Sequence, residues 1–181
     1  MKLILFNKPF QVMSQFSAHA SRPTLSNFIS IPGIYPAGRL DADSEGLMLL
    51  TDDGQLQHQI SHPDHKETKT YLVQVEGIPK PEQLQFLSAP INLGDFTTQP
   101  CKVQHIRSPD DWLWPRNPPI RTRAEIPTGW LAITLKEGKN RQVRRMTAAA
   151  GLPTLRLIRS AIGPYSLASH PLMPGEWLEL V

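Results

Sequence analysis

Short blocks of apolar residues recur along the chain, and most are closed by a glycine, a proline or a polar turn. Lys2 to Phe6 predicts a strand, ended by the turn Asn7-Lys8-Pro9-Phe10. Gln11 to Met13 predicts a second short strand. Thr24 to Ile29 predicts a short helix, with Leu25, Phe28 and Ile29 at the spacing of one buried face. Leu47 to Leu50 has the length and bounded apolar character of a buried strand, and Gln55 to Ser61 predicts a helix turned inward at Leu56 and Ile60. Lys69 to Val75 alternates in strand fashion, placing Tyr71, Val73 and Val75 on one face. Pro81 to Ser88 suits a helix opening at proline, and Ala89 to Val103 reads as short strands and turns. Trp130 to Leu135 is a further strand. Asn140 is a suitable N-cap for a helix through the alanine run, which Gly151 and Pro153 stop. Thr154 to Tyr165 is strand-like, and Leu178 to Val181 adds a last strand. This succession predicts an α+β fold: a large mixed, mostly antiparallel sheet with flanking helices.

Composition narrows the classes. The 181 residues predict one globular domain, with no internal repeat. No apolar run is long enough for a membrane span, and the N-terminus lacks a secretion signal. Cys101 is the only cysteine, which excludes an internal disulfide or a multi-cysteine zinc site. His58 and His62 have the H-x-x-x-H spacing, but with His65 they do not make a zinc pair with a third ligand in reach, so no metal is expected. A cytoplasmic protein is the natural reading.

Net charge is only +3, but it is unevenly distributed. From Arg116 to Arg159 there are ten Lys or Arg against two acids, whereas Asp41 to Asp111 carries five bases against twelve acids. The basic end looks built for a polyanion, and nucleic acid is the leading candidate.

The densest chemistry lies in Gly38-Arg39-Leu40-Asp41-Ala42-Asp43-Ser44-Glu45-Gly46-Leu47. Three carboxylates at alternate positions precede the apolar run that anchors them. A calcium loop fails at its fifth position (Glu45), at its twelfth (Asp52), and for want of an entering helix. Two readings remain: a solvated polar turn, or a loop in which one acid is a nucleophile and the others cap or orient it.

This stretch resembles the signature G-R-L-D-x-D-[ST]-x-G-L of the pseudouridine synthases, in the branch acting on ribosomal RNA. Two further segments agree. Lys69-Thr70-Tyr71 resembles the family's K-x-Y, and Glu137-Gly138-Lys139-Asn140-Arg141-Gln142-Val143-Arg144-Arg145-Met146 resembles E-G-[KR]-x-[HR]-Q-[VL]-R-R-M. The resemblance covers nearly the whole chain. It implies a single catalytic domain over 1–181 with two lobes around a central cleft, and no S4 RNA-binding domain. It also implies Asp41 as nucleophile, Tyr71 packed on the target base, and Arg144 as ion-pair partner of the nucleophile. No cofactor is implied, since the reaction has no redox step. The implied substrate is a uridine of 23S rRNA, flipped out or single-stranded, free or in an assembling large-subunit particle. A monomer is the expected state. The rival from another class is a non-catalytic rRNA-binding or assembly factor of the same fold.

RNA contacts are expected from Lys8, Arg39, Lys69, Arg116, Arg121, Arg123, Lys139, Arg141 and Arg145. Lys8, in its Lys-Pro pair, is also where the family places a motif that supports the active-site loop. Two roles are open to Arg39: filling the space left by a flipped base, or bracing a phosphate. The segment Ser108 to Arg123 holds four prolines, two tryptophans and three arginines. Aromatics interleaved with arginine suit single-stranded RNA, with rings to stack on bases and guanidiniums for phosphates. The other reading is a loop pinned to the body by Trp112 and Trp114.

Overall fold

The computed structural model describes residues 1–62, 67–121 and 123–180. The chain divides into two compact units, Met1–Glu67 with Arg159–Val181, and Thr68–Ile158. Among the described residues there are nine strands and three α-helices, the α+β class that the sequence predicts.

The first unit is built on β1 (Leu3–Lys8) and β3 (Glu45–Thr51). They pair antiparallel from Leu3 opposite Thr51 to Lys8 opposite Gly46, and every residue of both is buried. β2 (Tyr35–Pro36) pairs with β3, and β9 (Trp177–Glu179) with β1. The helix α1 (Gly54–Ser61) begins at Asp53, whose carboxylate accepts the orphan N–H groups of Gln55 and Leu56. One face of the β1–β3 pair presents Ile4, Phe6, Met48 and Leu50 to Leu25, Ile29, Ile34 and Leu40. Each such side chain contributes about 1.5–3 kcal/mol on full burial. That core is the floor from which the acidic loop rises.

In the second unit, β4 (Lys69–Glu76) pairs antiparallel with β6 (Thr128–Leu135) over eight residues, and β5 (Lys102–Ile106) lies on the other edge of β6. The helices α2 (Pro81–Ser88) and α3 (Gln142–Ala149) complete it. Val73, Val75, Leu131 and Ile133 have no exposed surface and pack with Leu87, Val143 and Met146. The unit boundary falls inside β7 (Thr154–Ile162), after Ile158, and β8 (Tyr165–Ser166) folds back on the end of β7. Among the described residues no helix is long and apolar enough to cross a membrane.

Three local expectations are corrected. Gln11 to Met13 is not a strand: Gln11 takes φ 70°, and only an isolated bridge joins Met13 to Thr24. The helix expected over Thr24 to Ile29 shrinks to a 3₁₀ turn, Leu25–Asn27, where the Asn27 side chain accepts the Thr24 N–H. The third helix is not capped by Asn140. Arg141 is the residue before Gln142, in the left-handed conformation at φ 52°. Its start is fixed by Gln142, whose Oε1 accepts the Lys139 N–H and whose Nε2 donates to Glu137. A side-chain brace replaces the ordinary cap.

Candidate active site

In the first unit, the loop Gly38 to Ser44 runs into β3 and is held from three sides. Ser14 Oγ donates to the Leu40 carbonyl at 2.6 Å and accepts the Leu40 N–H at 3.1 Å. Leu40 itself is buried in the core, so the residue before Asp41 is fixed by both packing and hydrogen bonds. The Asp41 carbonyl accepts the Ser44 N–H at 3.0 Å, which closes the turn. The Ala42 carbonyl accepts the Gln11 N–H at 2.6 Å and the Lys8 ammonium at 3.3 Å. Asp41 and Asp43 are half-buried, whereas Glu45 is sealed at the start of β3.

Lys8 has no exposed surface. Its Nζ donates to the carbonyls of Pro9, Val12 and Ala42. Burial pushes its pKa from 10.5 down to about 7; Glu45, Asp43 and Asp41 oppose that shift and Arg159 adds to it. The expectation of an RNA contact here is corrected, because a fully enclosed ammonium cannot meet a phosphate. What it does is tie the Lys-Pro turn to the acidic loop.

Arg159 is a second enclosed cation that sequence reading did not single out. Only 3% of it is exposed. Its Nε donates to the Leu47 carbonyl at 2.9 Å and its Nη1 reaches the Arg39 carbonyl at 3.4 Å, so it bridges the two ends of the acidic loop. The available signal was an arginine inside an otherwise apolar strand pattern. Gly46 completes the arrangement. At φ +111° it lies so close to β7 that a Cβ there would come within 2.3 Å of the Arg159 carbonyl oxygen. Only glycine fits.

The remaining predicted residues fall as follows. Arg39 is exposed on the first unit. Tyr71 is half-buried on β4, packed against the core of the second unit. Arg144 is half-buried on α3, between the buried positions Val143 and Met146. Lys69 is half-buried, and Arg121, Lys139 and Arg141 are exposed. Arg123 is exposed and pairs with Glu76 at 3.7 Å, a surface contact of little strength. Arg145 is engaged by Asp95 and the Leu93 carbonyl, with its guanidinium over the Phe96 ring. Arg116 donates to the carbonyls of Pro118, Pro119 and Leu155, which makes it a brace of its own loop.

The two tryptophans separate. Trp114 is buried, with the Arg156 guanidinium over its ring and hydrogen-bonded to its carbonyl, whereas Trp112 is half exposed. Trp114 is the pin. The His58 and His62 rings lie with centroids 4.3 Å apart, tilted by 41°; His65 lies outside the described residues. Among the described residues, no group of three or more His, Cys, Asp or Glu is arranged to hold a metal.

A core-anchored loop presenting a half-buried carboxylate, backed by enclosed cations, is suited to covalent chemistry on an enclosed substrate. Residues 2–149, which include this loop, match the RNA pseudouridylate synthase family model, and the chain belongs to that family. Over 177 residues it is 54% identical to the ribosomal large subunit pseudouridine synthase E of Xanthomonas campestris pv. campestris, covering 97% of this chain and 93% of the relative. The enzyme of the same name from Vibrio vulnificus is also 54% identical, covering 99% of this chain and 75% of the relative. Among solved structures, a pseudouridylate synthase superposes with a TM-score of 0.80 at 30% identity, covering 99% of this chain and 70% of that one.

Proposed function

We propose that this chain isomerises a specific uridine of 23S rRNA to pseudouridine, with Asp41 as the nucleophile. The observation that carries the reading is the match of the signature to a loop whose backbone is fixed at Leu40 and Ala42 while the Asp41 side chain between them stays half-buried. The likeness to the two large-subunit synthases supports the choice of RNA. In the reaction the N1–C1′ bond breaks and a C5–C1′ bond forms. The C5 proton leaves to solvent and N1 takes up a proton, so no electrons are exchanged with a cofactor. A paired base hides C1′ and C6, so the target uridine has to leave its stack first.

The chain's own residues divide the work. Asp41 attacks the nucleoside. Tyr71 offers a ring face to the detached uracil, and Arg144 is the ion-pair partner of the nucleophile. These two roles rest on the K-x-Y and R-R-M motifs. Arg39, Lys69, Arg121, Arg123, Lys139 and Arg141 supply positive charge toward the RNA backbone, and the protein acts as a monomer in the cytoplasm on free rRNA or an assembling particle.

The test is conversion of unmodified 23S rRNA transcript, with pseudouridine read by chemical labelling and primer extension. Wild type forms pseudouridine at one position, and Asp41→Asn loses about three orders of magnitude or more in rate. An Asp41→Asn variant of ordinary speed would remove the nucleophile from the account. A wild-type protein that binds the transcript but converts nothing would favour the assembly-factor reading.

A further inference from the structure

Beside the acidic loop, the first unit contains a cavity of about 590 Å³. Its size falls within the range of about 300–1,000 Å³ typical of sites for small ligands. It is lined by Gln15, Phe16, Tyr35, Arg39 and Gln57 among others, and by Ser14, the residue that clamps Leu40. None of the functional roles above uses it, apart from the Arg39 side chain at its edge.

Its chemistry is that of a nucleotide subsite. Tyr35 is 59% exposed, which leaves an aromatic ring open to a base. The backbone that carries it is held in place: Tyr35 and Pro36 pair with Thr51 and Leu50 of β3, and the next residue, Ala37, donates to the Leu49 carbonyl. Phe16, also on the lining, packs against the core. Among the described lining residues Arg39 brings the only formal charge, and it is positive.

The two glutamines are oriented. Gln15 Nε2 donates to the Ser17 carbonyl at 3.0 Å, and Gln57 Nε2 to the Pro36 carbonyl at 3.0 Å. A carbonyl only accepts, so the nitrogen of each amide must face it, and the Oε1 atoms are left as acceptors. Acceptors match a base that carries an exocyclic amino group, and they oppose the O4 of uracil.

We propose that this cavity binds a second, unpaired nucleotide of the substrate RNA, whose base carries an exocyclic amino group. Its base lies on Tyr35, its amino group reaches Gln57, and its phosphate meets Arg39. Continuity with the signature loop makes it a neighbour of the target uridine, so it selects the sequence around the target. The inference rests on the chain's acting on RNA.

The test uses the full chain with end-labelled hexanucleotides rC6 and rU6, two pyrimidines that differ at the 4-position, read by fluorescence anisotropy. Gln57→Leu weakens rC6 about tenfold and rU6 less than about twofold. Tyr35→Ala weakens both about tenfold, and Tyr35→Phe restores them. On 23S transcript, Tyr35→Ala raises KM by a similar factor, and a thermal melt matching wild type shows that the fold is intact. Equal losses of rC6 and rU6 on Gln57→Leu would overturn the amino-group reading. An unchanged KM for Tyr35→Ala, or a Tyr35→Phe variant as weak as Tyr35→Ala, would overturn the subsite. Pseudouridine formation by wild type on the same transcript is scored separately, so either result is read independently of the catalytic assignment.

Discussion

Replacing Gly46 by alanine tests the packing that holds the acidic loop. Two costs arise. At φ +111° the backbone is in a region that L side chains avoid, a strain of about 1–3 kcal/mol. The new methyl would also lie 2.3 Å from the Arg159 carbonyl oxygen and 2.8 Å from its nitrogen. Ordinary carbon contacts sit near ~3.5 Å, so β3 and the end of β7 would have to part by about 1 Å. That movement stretches the 2.9 Å bond from Arg159 Nε to the Leu47 carbonyl, a charged hydrogen bond of about 1.5–3 kcal/mol.

The sum is roughly 3–6 kcal/mol, a large share of the ~5–15 kcal/mol that holds a domain folded. The assay is urea unfolding followed by tryptophan fluorescence, with Gly33→Ala as the control. Gly33 also has positive φ, at +75°, but nothing stands within 4 Å of its added methyl. Its variant should lose only about 1 kcal/mol. If Gly46→Ala lost no more than Gly33→Ala, close approach to β7 would not be what demands glycine.

Two further substitutions probe the same loop. Ser14→Ala leaves a buried Leu40 carbonyl and N–H without their clamp, which costs about 1–3 kcal/mol. The melting temperature should fall by roughly 3–8 °C and the conversion rate several-fold; a shift under about 1 °C would count against the clamp. Lys8→Met addresses pH. With its pKa lowered from 10.5 to about 7, Lys8 binds fewer protons in the native than in the unfolded chain between those two values. Wild-type stability should therefore gain up to about 1.4 kcal/mol per pH unit from this site as pH rises through that window, with no gain from it below pH 7. Urea melts at pH 7 and pH 8.5 should show that gain missing from Lys8→Met, and equal slopes in the two proteins would refute it.

Much of this was legible in the chain because the signals were local. The apolar run after Gly46 became β3, and Pro81 to Ser88 became α2 with its proline start. The alternation of Tyr71, Val73 and Val75 gave the inward face of β4. What failed depended on distant partners. Thr24 to Ile29 has a helical spacing, but only the single turn Leu25–Asn27 forms, its first N–H taken by the distant Gln15 carbonyl. Lys8 looks like any exposed lysine until Val12 and Ala42 close over it. Arg159 lies more than a hundred residues from the loop it bridges, so no spacing rule could connect them. Trp114 and Trp112 are indistinguishable in sequence, and it is Arg156 that makes one of them a pin.

Because Arg159 is sealed beneath the acidic loop, counter-ions from the medium cannot gather around it. Fields among enclosed charges are screened far less than those at a wet surface. Surface arginines gripping a phosphate chain, by contrast, lose their hold steeply as ionic strength rises. Capture of the nucleic acid and the bond-making step should therefore part company in brine: the first fades, while the second, once the complex is saturated, keeps its pace.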